Sequence, residues 1–568
     1  MHCNLSSSIV TPTSTFDSQP RASSCVASIV FNSALLTASL AGIGAHLLYF
    51  IHGEHHVPGP RLAALIPITW SAAFIVLCRS AAWLQAALDT TLLLSSFATG
   101  IFSSILIYRL LFHPLRAIPG PTLAKATKFW HSIKLSNLQN QELLEALHQQ
   151  YGDIIRIGPN EVVVFRADGV PAVHGPGSGC TKAPWYDMLQ KDRSIHATRK
   201  PQLHQARRKI WDQGFGMKAL RSYQERVKTH VDRLSTNIDK RLGEAINCTK
   251  LFLFFGFDVM GDTAFGSGFG MLESNEEHPI VGIMRGGIYV IGRLTPLPWL
   301  VTILSSIPGA NADFKKLEAY AEEEIQKRAK MDDRDEDDVM SKLISAARPP
   351  SDPNKIDMHY LGGDAMVIII AGSDTVSIAL TFLFYHLALM PEHVSKLRDE
   401  LKDVNITDNR VLQSLAHLNA LINETLRLYP PIITAPLRQT PPEGLKIGDQ
   451  FIPGNVTIST PQWSLGRLES SYVRASEFLQ ERWYAGSDMI KDARGYVPFM
   501  SGTHSCLGKQ LALIELRFVT ARLVTQYDFH FAQVSNARET VSDIKDCFTA
   551  LPGPLRLVFE DRRREDVT

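Results

Sequence analysis

Cysteine is scarce in this chain, and the few present form no pattern of pairs. Seven are spread over 568 residues, at Cys3, Cys25, Cys78, Cys180, Cys248, Cys506 and Cys547. No C-x-x-C occurs and the number is odd, which argues against a disulfide framework or a zinc knuckle and fits a reducing compartment. An excess of either charge is missing too: 58 Lys and Arg stand against 57 Asp and Glu. That balance removes the electrostatic case for nucleic acid as a partner. Internal repeats are also absent. What the chain has is apolar sequence, with 45% hydrophobic and 20% charged residues, the balance of a globular protein with a large core.

The apolar residues are unevenly distributed. Three runs, near 27–51, 62–78 and 90–108, precede everything else. About 20 apolar residues cross a bilayer, so the first and third are long enough and the second is marginal. The first begins too far from the N-terminus, and is too long, for a cleaved signal. Residues 1–112 therefore read as a membrane anchor of two or three transmembrane helices, with 113–568 as one large domain. Three spans put the N-terminus across the membrane from that domain; two put it on the same side. Arg109, Arg116, Lys125 and Lys128 follow the third run, on the side that the positive-inside rule makes cytosolic.

The stretch from His113 to Pro121, with prolines at 114, 119 and 121, is expected to be a non-helical, stiff spacer. Two short β-branched runs, 154–157 and 162–165, flank Gly158-Pro159-Asn160 and predict a hairpin. Helical patterning then dominates to about residue 430, with the acidic segment 332–338 as a solvated loop between helices.

The strongest local signal is Phe499-Met500-Ser501-Gly502-Thr503-His504-Ser505-Cys506-Leu507-Gly508, followed by a helical run over 509–523. Gly502 and Gly508 allow backbone conformations closed to other residues, so a flat ligand can approach the main chain. The positive end of the following helix favours a thiolate at Cys506. This F-x-x-G-x-x-x-C-x-G spacing resembles the haem-binding loop of the cytochrome P-450 superfamily. Upstream, Ala371-Gly372-Ser373-Asp374-Thr375 lies in the apolar run 362–390. A membrane span there would leave Asp364 and Asp374 unpaired in lipid; the run resembles instead the family's long central helix. Glu424-Thr-Leu-Arg427 in a helical stretch, then Arg482, and the run His204-Gln-Ala-Arg207-Arg208 complete the matches. Their order and spacing cover about 113–560, and the N-terminal pattern looks like that of fungal microsomal members.

The resemblance implies a mainly α, triangular helical prism with a small β domain behind the N-terminal anchor. It implies heme b with Cys506 as axial iron ligand, and contacts to the cofactor from His204, Arg208, Phe499, Gly502, His504 and Gly508. Thr375 and Asp374 become the catalytic proton-handling pair, Ala371 and Gly372 line an oxygen groove, and Glu424, Arg427 and Arg482 form a buried structural triad. At the position of His504 the family usually carries an arginine that binds a haem propionate; a histidine is shorter and can lose its charge near neutral pH. The implied activity is a monooxygenase that oxidises a lipophilic small molecule, a terpenoid or polyketide of fungal secondary metabolism. It uses O2 and electrons from NADPH through cytochrome P-450 reductase, at the endoplasmic reticulum membrane with the catalytic domain cytosolic. Pocket residues would come from 181–190, including Trp185 and Tyr186, from Met366 and Ile370, from 432–435, including Ile433 and Thr434, and from 548–551. Two other readings stay open: a same-fold isomerase or dehydratase that needs no reductase, against which the Gly372–Thr375 stretch argues, and a membrane haem-binding protein without turnover.

Overall fold

A computed structural model describes residues 19–188, 193–331, 338–349, 351, 356–434, 436–533 and 536–562. Most of the acidic segment (332–337) and Leu189, Gln190 and Ala435 of the expected pocket lie outside the described residues. The chain forms two compact units, Met1–Phe112 and His113–Thr568.

The first unit consists of α1 (Gln19–Ala45), α2 (Gly59–Leu77) and α3 (Trp83–Ile107). Three stretches in it are long and apolar enough to cross a bilayer: Ile29–Phe50, Gly59–Leu77 and Trp83–Phe112. At a rise of ~1.5 Å per residue the shortest reaches about 28 Å, close to the roughly 30 Å hydrocarbon core. Leu36, Leu40, Ile66, Ile75 and Phe102 point outward, and α2 buries no residue at all. In water such surfaces would be a severe cost; in lipid they cost nothing.

The second unit is mainly helical, as the resemblance implied. Its helices include α4 (Pro201–Gly214), α5 (Cys248–Phe265), α6 (Pro279–Leu294), α7 (Met358–Leu389), α8 (Ala416–Leu428) and α9 (Lys509–Gln526). The 32-residue α7 runs through the middle, packed along α5 and against α8 and α9. Asp357 starts it, its carboxylate accepting from the His359 amide at 2.9 Å. α5 starts on Asn247, whose side chain accepts from the Lys250 amide, and stops at Gly266 with φ +78. The two helices approach closely because Gly256 has no β-carbon, which would collide with the Ser373 carbonyl.

One sheet carries part of the site. Its strands are β1 (Ile154–Gly158), β2 (Glu161–Val164), β3 (Thr181–Lys182), β4 (Arg438–Gln439) and β5 (Thr457–Ser459), in the order β1-β2-β5-β4-β3. The β1–β2 hairpin pairs Ile154 with Val164 and Arg156 with Val162. A second hairpin joins β6 (Lys545–Cys547) to β7 (Thr549–Leu551).

The proline-rich segment is not the extended spacer that its composition suggested. Pro114–Ala117 forms a 3-10 turn, with the His113 side chain accepting from the Leu115 amide. Proline suits the first position of such a turn, where no amide partner is needed. Leu115 and Ile118 then bury against Val162, Val164, Val173 and Ile458, and the Arg156 amide donates to the Pro119 carbonyl at 2.8 Å. The segment is thus part of the small β core. Leu115→Ala should therefore destabilise the catalytic unit by about 2–5 kcal/mol, the usual cost of emptying a buried leucine site. Thermal unfolding of the full chain measures it, and an unchanged midpoint would return the segment to the status of a linker.

Candidate functional site

The cysteine loop is built on one glycine. Gly502 has φ +67, and a β-carbon there would run into the His174 carbonyl, so only glycine fits. The loop makes a single turn over Gly502–His504 and returns, the Cys506 amide donating to the Phe499 carbonyl at 2.8 Å. Gly508 differs from expectation. Its φ of −78 is open to any residue, and its place as the residue before α9 puts its amide, with that of Lys509, onto the Cys506 sulfur. Burial raises the thiol pKa, and those two amides and the cations Arg208 and Lys509 pull against it without overcoming it. The helix end alone does not make the thiolate; a bound cation would have to complete the deprotonation. Cys506 as a residue nevertheless remains exposed.

Beside the loop lies a cluster of cations that sequence reasoning missed. Lys182 and Arg438 are directly opposite one another in the antiparallel pair β3–β4, and they are only 5% and 3% exposed. Lys182 Nζ donates to the carbonyls of Ile195 (2.6 Å) and His196 (2.8 Å). Arg438 Nη1 donates to the Leu437 carbonyl at 3.0 Å, with the Tyr186 hydroxyl at 3.4 Å. Among the described residues neither forms an ion pair. His204 Nε2 and His504 Nδ1 stand 3.3 Å apart, and His204 Nδ1 is buried without a partner. Burial, followed by the charges of Lys182, Arg208 and Arg438, pushes His204 down to about 3. Burial, followed by Arg438, Lys182, His204 and His174, pushes His504 down to about 2. Burial, followed by Arg438, also pushes Lys182 well below its ordinary value; two buried basic side chains and two histidines, with no ion-paired carboxylate among the described residues, make a pocket that calls for an anion. Arg208 stands at the same site, beside His204 and Cys506. Its Nη1 donates to the Ser505 carbonyl at 2.7 Å and its Nε to Asp212 at 3.0 Å, bracing the cysteine loop. No periodicity announces Lys182 or Arg438, because each sits on a two-residue strand and only the sheet brings them together.

The central helix exposes one narrow strip. Toward its middle Ala371 is exposed and Ile370, Gly372 and Thr375 are partly so, while Ile369, Ser373 and Asp374 are buried. Thr375 Oγ1 donates to the Ala371 carbonyl at 2.8 Å. An exposed alanine in the middle of a mostly buried helix has open space beside it. Gly372 does not open that space: the room its missing side chain leaves is filled by Met260 of α5. Asp374 points elsewhere, 2% exposed, with Oδ2 accepting from Thr549 Oγ1 of β7 at 3.1 Å. Burial raises its pKa, against the opposing pull of Thr549 and of Arg285 on α6.

Glu424, Arg427 and Arg482 come together with no side-chain exposure. Arg427 meets the carboxylate with two nitrogens, at 2.7 and 2.8 Å, and Arg482 Nε meets it at 2.9 Å. The Trp483 indole (2.9 Å) and the Leu479 amide (2.8 Å) fill its remaining sites. This knot is structural and touches none of the reacting space.

Of the expected pocket residues, Trp185 and Tyr186 are buried in a cluster with Leu437, Ile291 and Phe548. The Trp185 ring stacks on Phe548 at 5.1 Å and 15°, and Phe548 holds φ +78 at the β6–β7 turn, a left-handed conformation uncommon for phenylalanine. Met366 is buried in the main core and Ile370 half-buried beside it. Ile433 belongs to a separate small core with Ile378 and Phe382. Thr434 is engaged by Asp546 and by Asn140 Nδ2 (2.9 Å). These last two are held by packing and polar contacts, which corrects their expected place in an open pocket.

Comparison with known proteins gives the family. Residues 119–556 fit the Cytochrome P450 family. Tryprostatin B 6-hydroxylase of Aspergillus fumigatus is 37% identical, over 88% of this chain and 91% of its own length. Cytochrome P450 monooxygenase sthD of Phaeosphaeria nodorum is 39% identical, over 82% and 98%. Cytochrome P450 monooxygenase lcsK of Purpureocillium lilacinum is 35% identical, over 92% and 97%. The crystal structure of the cytochrome P450DA heme domain superposes with a TM-score of 0.65 over 79% of this chain and 98% of its own, at 16% identity, a likeness of fold. The chain belongs to the cytochrome P450 family and is a haem-thiolate monooxygenase. The residues fit the cofactor: an exposed cysteine that could ligate the iron, and buried Lys182 and Arg438, without an ion-paired acid among the described residues, that could meet its propionates.

If Arg438 and Lys182 hold the propionates, Arg438→Leu should speed haem loss about 10–100-fold, the worth of one charge-assisted hydrogen bond. The haem-free protein should at the same time melt at a higher temperature, since a like-charge contact has gone. Haem transfer to an excess of apomyoglobin and apo-protein unfolding read the two effects, and finding both unchanged would sink the assignment.

Proposed function

We propose that this monooxygenase works at the endoplasmic reticulum in fungal secondary metabolism, inserting one atom of O2 into a lipophilic small molecule. Electrons come from NADPH through the membrane-bound reductase, and the catalytic unit lies in the cytosol. The observation that carries the reading is the exposed Ala371 beside the partly exposed Thr375 in the mostly buried middle of α7, together with the exposed Cys506. A reductase-free isomerase has no use for a hydroxyl donor in that position. The named activity of the Aspergillus fumigatus relative, a hydroxylase acting on tryprostatin B, supports a secondary metabolite as substrate.

Bound haem supplies dioxygen activation and oxygen-atom transfer. The chain sets the conditions for that chemistry. Cys506 gives the sulfur donor, with the Gly508 and Lys509 amides steadying its negative charge. Lys182 and Arg438, with His204 and His504, orient the propionates. Thr375 Oγ1 carries a proton at the edge of the internal space, its resting hydrogen bond taken by Ala371 O. Asp374, buried and shifted toward its protonated form, lies on the neighbouring face of the same turn as a proton reserve, with Thr549 fixing its carboxyl. The apolar walls contributed by α5, α7 and the Trp185–Phe548 cluster keep bulk water away.

Incubation with reductase, NADPH, ¹⁸O2 and lipophilic candidates that include tryprostatin B should yield a product carrying one labelled oxygen. Turnover of a substrate under argon without reductase would favour the isomerase reading instead. Thr375→Ala should keep haem and substrate affinity close to those of the parent while product per NADPH falls at least about tenfold, within the range of a lost proton donor. The missing equivalents should appear as hydrogen peroxide, and unchanged coupling would remove Thr375 from proton handling.

A further inference from the structure

His196, which belongs to none of the sequence motifs, stands on a tight and well-held turn. The Ala197 amide donates to the Ser194 hydroxyl at 3.1 Å, and Thr198 Oγ1 donates to the Ser194 carbonyl at 2.7 Å. The turn is pinned from two directions. On one side the Ile195 amide donates to Asp364 of α7 at 2.8 Å. On the other, Lys182 of β3 donates to the carbonyls of Ile195 and His196. Helix and sheet together fix the backbone under the imidazole, so its place is set before any ligand arrives.

The ring closes a circuit of four aromatic contacts. It meets Tyr186 edge to face at 5.1 Å and Phe548 at 5.5 Å. Trp185 stacks on Phe548 and meets Tyr186 at 5.0 Å. Two of these neighbours lead to the site. The Tyr186 hydroxyl stands 3.4 Å from Arg438 Nη1, and Thr549, the residue after Phe548, donates to Asp374 of α7. His196 thus connects, by contact, the pocket assigned to the propionates and the turn of α7 that carries Ala371 and Thr375.

Its nitrogens set it apart from the other rings. Burial, followed by Lys182 and Arg438, pushes the imidazole down to about 3, a desolvation that a ring on the outer surface escapes. It is therefore neutral, with one N–H and one lone pair. Among the described residues neither nitrogen has a hydrogen-bond partner, yet neither is covered, and the residue keeps partial exposure. His386 of α7 shows the opposite case. It is 6% exposed, stacks on Phe478 at 4.0 Å and has both nitrogens sealed in packing. Trp185 Nε1 is sealed too. Within the four rings, His196 offers the open polar group, and an enclosed polar group is costly until something pairs with it.

We infer that His196 is a specificity-determining residue whose imidazole N–H donates to a carbonyl oxygen of the lipophilic substrate. The groups that act on the ring, Lys182 and Arg438, are both basic, which favours the negative end of a dipole there and disfavours an ammonium group. The inference rests on the reading that the chain oxidises a lipophilic small molecule.

The holoprotein is titrated with ketones and with hydrocarbons of the same shape: fluorenone with fluorene, and androstan-17-one with androstane. The Soret shift gives the affinities. The ketone-over-hydrocarbon ratio should fall about 3–10-fold in His196→Phe, the worth of one neutral hydrogen bond. The hydrocarbons should bind that variant at least as tightly as the parent. His196→Gln, which keeps a donor, should restore much of the ratio, and haem transfer to apomyoglobin should run at the parent rate in both variants. An unchanged ratio in His196→Phe overturns the assignment. Faster haem loss in place of a changed ratio also overturns it, by making the imidazole a haem contact. If none of the four compounds shifts the Soret band of the parent protein, the lipophilic-substrate reading fails and takes the inference with it, a failure visible before any substitution is made.

Discussion

A lysine and an arginine face one another across a pair of two-residue strands, both buried, with no ion-paired acid among the described residues. Like charges directly opposite in a sheet repel, and an uncompensated buried charge costs several kcal/mol. The chain keeps the arrangement, and nearly everything around it bears on the missing negative charge. The histidines beside it are driven to their neutral forms. Arg208, the nearest further cation, is turned onto a carbonyl and onto Asp212. Such a pocket is incomplete as a protein and becomes complete with a dianion. The cofactor's binding energy is therefore also folding energy, and the haem-free chain is the less stable state.

The second buried charge cluster makes the contrast plain. Around Glu424, two arginines share one carboxylate, and their remaining donors reach the carbonyls of Gly466, Val473, Arg474, Ala475 and Glu477. Donors and acceptors close on themselves, so this knot needs no ligand. It ties α8 to the segment that leads into the cysteine loop. Trp483 donates to Glu424 and packs on Tyr496 with centroids 4.4 Å apart, just ahead of Phe499. One cluster is closed and fixes the frame; the other is open and defines the cofactor's place. The proposed chemistry is assigned to Cys506 and to the Ala371–Thr375 turn of α7.

What could be read in the sequence is local. The cysteine loop, the Glu424–Arg427 spacing and the acid–threonine pair of α7 each lie within ten residues, so pattern carries them, and the helical class follows from periodicity. Readings failed where a partner distant in the chain decides. Gly372 was taken as room for dioxygen, but Met260 of α5 occupies that room. Gly508 was taken as a conformational necessity, yet its φ is ordinary and its amide is the useful part. Ile433 and Thr434 have the right polarity for a pocket, but a small core and Asp546 hold them. Lys182 and Arg438 left no signal, since two-residue strands have no period to detect. The prolines at 114 and 119 suggested stiffness, while Leu115 between them decides the outcome by being buried.

Hydropathy alone would have misplaced one helix. α7 is more apolar over its best window than any anchor helix, with mean hydropathy 2.0 against 1.4, 1.6 and 1.7. What separates it is where its polar groups find partners. Asp364 accepts from the Ile195 amide at 2.8 Å and the Trp211 indole at 3.2 Å and pairs with Arg207, while Asp374 accepts from Thr549. Those donors come from the surrounding second unit, and lipid offers none. α2 is the opposite case: its Thr69 is satisfied by its own helix at the Leu65 carbonyl, and it buries nothing. A span must be self-sufficient in hydrogen bonds, whereas a core helix can carry acids so long as neighbours meet them. The same apolar composition thus yields an anchor in one half of the chain. In the other half it yields a core helix, because there the donors of other elements meet its acids.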